Sequence, residues 1–164
     1  MSNIQYFNGL SSEQKLRWKK QLKTACIDIL QQRIETAEEA MMQAQDAANN
    51  EEKSSVGDKY ETSRAMGHLD SEMNAKQLEE ANRELAILNS LSVNNLHTTV
   101  TNGTVVICND YIFFIALGLG TTVIDGRSII LLSPQAPVAT LLNGKKASDS
   151  FFFNTKGVEI VDVF

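Results

Sequence analysis

From residue 27 to residue 48, apolar and small side chains recur at alternating steps of three and four: Ile27, Leu30, Ile34, Ala37, Met41, Ala44 and Ala48. This spacing keeps a narrow stripe on one side of an α-helix, the a/d seam of a coiled coil, so the helix needs a second helix to cover it. The chain supplies one within its own first half. Residues 1–92 hold no proline and only three glycines, at 9, 57 and 67, and are rich in Glu, Gln, Lys, Ala and Leu, which favour helix. "SSEQ" at 11–14 offers an N-cap serine and a nearby acid as a helix start. "NNEEKSSVG" at 49–57 interrupts the pattern with turn residues.

A second helix is expected over about 58–91, with Met66, Leu69 and Met73 and then Leu78, Ala81, Leu85 and Leu88 as its seam. The wider step from Met73 to Leu78 predicts a phase shift in the packing. Two helices of roughly 35 residues folded back on each other make an antiparallel hairpin about 50 Å long. The segment 49–61 forms its tip. The interruption favours folding back within one chain, hence a monomer, over a coiled-coil dimer that would use the same seam between chains.

From residue 98 the grammar changes to β-branched and aromatic residues, and both prolines, Pro134 and Pro137, lie beyond that point. Short strands are expected at 104–108, 111–117, 121–125, 128–132, 150–153 and 158–164, with turns at Asn109-Asp110, Asp125-Gly126 and Lys156-Gly157. One short helix, about 137–142, starts with proline in a favourable first position and is closed by "NGK". The fold class is α+β: a helical hairpin over 1–95, then a small antiparallel β domain with one helix over 96–164.

Several function classes recede on composition. A net charge of −5 and a pI near 5.0 do not suit wrapping nucleic acid by charge, and no independent sequence-specific DNA binding is expected. Cys26 and Cys108 form no CxxC pair or disulfide framework and read as buried thiols of a reducing compartment. The longest apolar run, "YIFFIALGLG" at 111–120, is too short to span a bilayer as a helix, and no secretory leader is seen, so a cytoplasmic protein without a membrane partner is expected. His68 and His97 have no ligand-spaced Cys or acid around them, and "GLGTTVIDG" has Val123 where a third dinucleotide-binding glycine would stand.

Residues 136–153, "APVATLLNGKKASDSFFF", resemble without gaps the signature of the C-terminal domain of bacterial Gre-type transcript cleavage factors. The matching positions are Pro137, Leu141, Gly144, Lys145 and Asp149, and "GVEIVDV" at 157–163 resembles the closing strand. The order of helical hairpin and β domain is also similar. Two signature positions differ: Ala136 replaces a serine, and Ser148 replaces the glycine before Asp149. The resemblance implies an FKBP-like fold for the β domain, with Pro137, Gly144, Lys145 and Asp149 in the part that docks on RNA polymerase. It also implies a hairpin that enters the polymerase secondary channel beside the nascent RNA 3′ end. There it would act as an accessory factor without an active site of its own, helping the polymerase hold a second catalytic Mg²⁺.

At the tip the family has Asp-x-x-Glu followed by Asn-Ala-Glu-Tyr; here "DKYETSRA" keeps Asp58 and Glu61 and loses the rest. Mg²⁺ takes carboxylate oxygens, and residues at i and i+3 near a helix start face one side, so the pair suits a shared ion. The same two residues suit a capping box at the start of the second helix. Transcript cleavage and polymerase regulation without cleavage therefore both stay open. Peptidyl-prolyl isomerisation, suggested by the FKBP-like class alone, lacks an evident aromatic pocket, since the single tryptophan, Trp18, lies in the helical half.

Overall fold

A computed structural model describes residues 3–51 and 58–164, leaving aside the side chains of 51 and 58–61. Helix α1 (Asn3–Phe7) is followed by α2 (Ser12–Glu51) and α3 (Asp58–Ser90). Six strands and a short helix come next: β1 (Val105–Cys108), β2 (Ile112–Ile115), β3 (Gly120–Ile124), β4 (Arg127–Leu132), α4 (Pro137–Leu142), β5 (Ser150–Phe153) and β6 (Lys156–Val163). The class is α+β, with long N-terminal helices before a mostly antiparallel sheet. Compactness divides the chain elsewhere than composition does. Residues 28–87 form one unit, and 1–27 form another together with 88–164.

In the helical unit, Arg33 Nη1 on α2 lies 3.9 Å from Glu84 Oε2 on α3. Leu30, Ala37 and Ala81 are buried, and Ile34, Met41, Ala44, Leu78 and Leu85 are half-buried, as the a/d spacing predicts. The distal part of the α3 seam differs from expectation. Ser71 and Asn74 are half-buried there, while Met66, Leu69 and Met73 stand 59–61% exposed. Stepping 71, 74, 78, 81, 85 alternates three and four without interruption, so the predicted phase shift is absent. Small polar residues hold the seam positions, and apolar content alone misplaced it. Ala48 is exposed as well, and α2 runs through Asn49 and Asn50 to Glu51, inside the expected turn. The rest of that turn, 52–57, lies outside the described residues.

In the other unit the sheet order is β3-β4-β2-β1-β6-β5. Every neighbouring pair is antiparallel except β2 with β4, which are parallel because β3 takes the edge position beyond β4. Side chains of both parities are buried on the central strands, so both faces need cover. One face carries Val106, Cys108, Phe113, Ile115, Phe151 and Ile160, packed with Ala139 and Leu142 of α4. The opposite parity, Val105, Ile107, Ile112 and Phe114, is buried too.

Phe7 of α1 and the root of α2 meet Phe164 beside that second face. The Phe7 ring centroid lies 6.0 Å from Phe164 and 4.9 Å from Trp18. Lys15 bonds Asp162 at 2.6 Å, with its ammonium over the Phe164 ring. Helix α1 was not expected from the sequence. At five residues it is too short to stand without such packing.

Two turns show contrasting chemistry. Asp125-Gly126, both at positive φ, make the expected tight β3–β4 turn. The β5–β6 turn sits at Asn154-Thr155, φ 49° and 65°, and not at Lys156-Gly157, which are already in β6. A left-handed threonine is unusual, which is why the glycine two residues on looked like the better turn.

Candidate functional site

The signature segment folds as one local device. Pro137 opens α4, where its missing N–H leaves no donor unpaired, and Ala136 at the cap position offers no side-chain bond. The helix closes as Asn143 N donates to Ala139 O and Lys145 N to Leu142 O, with Gly144 at φ 77°. Gly144 N then donates to Val100 O at 2.8 Å, and Val100 N to Lys145 O at 2.7 Å, bracketing the segment onto the strand-like stretch before β1. Asp149 Oδ2 accepts from Lys146 N at 2.9 Å, and Ile160 N donates to Asp149 O at 2.9 Å, fixing the entry to β5.

Ser148 lies at φ 73°, in left-handed space that glycine adopts freely and serine does not. A glycine at this position therefore has a backbone reason, and the serine here holds the same turn with strain. Pro137, Gly144 and Asp149 thus shape the turn, Lys145 contributes its backbone, and Leu141, 54% exposed, presents an apolar side chain beside them.

Asp58 and Glu61 lie in the first turn of α3, the helix beginning at Asp58. Their side chains fall outside the described residues. Among the described residues, no group of three or more His, Cys, Asp or Glu could hold a metal ion. Both cysteines are fully buried, and burial pushes the Cys26 thiol up to about 11 and Cys108 to about 12, so neither is poised as a nucleophile. No helix among the described residues is long and apolar enough to cross a membrane.

Charge is divided unevenly between the units. Residues 28–87 carry 14 Asp and Glu against 6 Lys and Arg, a net −8; the other residues carry 6 against 9, a net +3. The modest overall balance hides this contrast.

Two lysines went unnoticed in the sequence. Lys19, fully buried, donates from Nζ to Asn95 O at 2.7 Å; one turn on, Lys23 Nζ donates to Asn89 O at 3.1 Å and Leu91 O at 2.7 Å. Together they satisfy carbonyls at the end of α3 and in the segment after it, where a helix leaves acceptors free. Burial lowers the Lys19 pKa to about 8. Burial and then the Lys19 charge hold His97 below its ordinary value. Trp18, Leu22 and Cys26, at steps of four beside these lysines, were the available signal that the α2 root is covered on a broad face.

No family model matches the chain, and no curated protein matches it. Among solved structures it is similar to one described as the structure of the transcription factor Gfh1, at 13% identity, covering 84% of this chain and 92% of that one, with a TM-score of 0.34. Those values are too low to carry over fold or function.

Proposed function

We propose that this chain is a Gre-type transcription factor that binds RNA polymerase, docking through its β domain of FKBP-like fold and presenting its hairpin to the secondary channel. It acts as an accessory factor and not as an enzyme. The observation that carries this reading is the coincidence of two features in one chain. Residues 136–153, on which the family resemblance rests, form a single helix–turn–strand device, and two long paired helices precede them.

Asp58 and Glu61, in the first turn of α3, would supply oxygen ligands to a Mg²⁺ held jointly with the polymerase. Such an ion, when bound, activates water for phosphodiester hydrolysis. The carboxylates' own part is to bring fixed negative charge to the start of α3, in a unit whose sequence is acidic.

The test is cleavage of backtracked complexes made with the protein's own polymerase. Stimulation that is lost in Asp58→Asn and Glu61→Gln, with helix content retained, supports the cleavage version, since both substitutions keep capping ability. Binding without stimulation by the wild type supports the second version, a channel-occupying regulator. The changed residues after Glu61 favour that version.

A further inference from the structure

The distal α3 face that should have lain in the seam is free. Met66, Leu69 and Met73 occupy successive turns on one side of the helix, 61%, 60% and 59% exposed, while Ser71 and Asn74 are the half-buried positions of that stretch. Single exposed apolar residues are ordinary, but three in register on one helix face, two of them adaptable methionines, make a contact stripe. We propose that Met66, Leu69 and Met73 dock against a basic protein groove with an apolar floor. On the reading above, from which this inference follows, that groove belongs to RNA polymerase.

Charge and area select this occupant. The unit carrying the stripe has a net charge of −8, with exposed Asp70 and Glu72 at the stripe's rim. Nucleic acid and anionic membrane surfaces are repelled by it. A second copy would bring −8 against −8. Three side chains also offer only a few hundred Å², short of the ~800 Å² per partner of a specific interface. A basic groove gains from both the rim and the stripe, and a small apolar contact suffices when the β domain docks as well.

The experiment compares the wild-type chain with Met66→Gln/Leu69→Gln/Met73→Gln for binding to purified core RNA polymerase of the same organism. Glutamine keeps helix propensity. Met42→Gln, at a side chain 68% exposed on α2, is the control. The triple variant is expected to bind about tenfold more weakly or worse, and the control within about twofold of wild type. Equal binding by triple variant and wild type overturns the docking stripe and leaves the polymerase reading standing. No binding by the wild type overturns both. If the triple variant loses helix content, a benzoylphenylalanine photocrosslinker at Leu69 replaces it. A crosslink to a polymerase subunit supports the proposal, and a homodimer or nucleic-acid product alone overturns it.

Discussion

Replacing Lys19 with methionine should make the protein more stable at neutral pH and less stable at high pH. The ammonium is fully buried and donates to Asn95 O. Burial lowers its pKa from 10.5 to about 8. Below pH 8 both folded and unfolded states hold the proton, and the folded state bears the whole cost of the buried charge, about 3 kcal/mol. Between pH 8 and 10.5 only the unfolded state holds it, so this contribution to stability rises with pH.

Methionine removes the charge at similar length but leaves Asn95 O without its donor, which costs about 1–2 kcal/mol. The balance is a gain of about 1–2 kcal/mol at pH 7, turning into a loss of about 1 kcal/mol above pH 10. Urea unfolding followed by Trp18 fluorescence reads this directly, because the single tryptophan is buried in the same unit. The variant-minus-wild-type difference between pH 6.5 and 10 cancels the other titrating groups. A destabilised variant at pH 7 with no change of sign would instead make the Lys19 charge a net stabiliser. His97 gives a second readout: its NMR titration should move up in the variant, since the Lys19 charge helps hold it down.

Ser148→Gly should stabilise by about 1 kcal/mol in thermal unfolding, because φ 73° strains any side chain there. Unchanged or lower stability would mean that the turn is not strained. A fragment of 96–164, the β domain as composition bounds it, should bind a hydrophobic dye and lose near-UV signal. It lacks Phe7, Trp18 and Leu22, buried members of the same unit, while keeping Val105, Ile107, Ile112 and Phe114. A cooperatively folded fragment would show that the second face needs no cover. Thr155→Gly should likewise raise the melting temperature by a few degrees, as an Asn-Gly pair suits both left-handed positions of the β5–β6 turn.

Local signals carried much of this fold. All six strands follow from β-branched and aromatic runs, α4 from Pro137 and Gly144, and the start of α2 from the serine of "SSEQ", although Gln14 and not the neighbouring acid exchanges bonds with Ser11. What stayed hidden depends on tertiary context. Helix α1 exists because Phe7 finds Trp18 and Phe164. The distal seam runs through Ser71 and Asn74 because small polar residues also fit there, so hydrophobicity alone pointed to the wrong face. The parallel β2–β4 pair is a matter of strand order, on which strand composition is silent. In the candidate segment 136–153, Pro137 and Gly144 signal a helix and its stop, but its bonds to Val100 and Ile160 join residues too far apart in sequence for local signals to show. The lysines at 19 and 23 looked like ordinary helix surface because their acceptors lie some 70 residues away.

Binding of this chain to core RNA polymerase from its own organism, measured by sedimentation at physiological salt, decides whether it is a polymerase factor. Saturable binding of one chain per polymerase is expected, lost when Gly144→Val distorts the left-handed turn of the signature segment while α2 and α3 stay helical by circular dichroism. No binding by the wild type, or full binding by that variant, would contradict it.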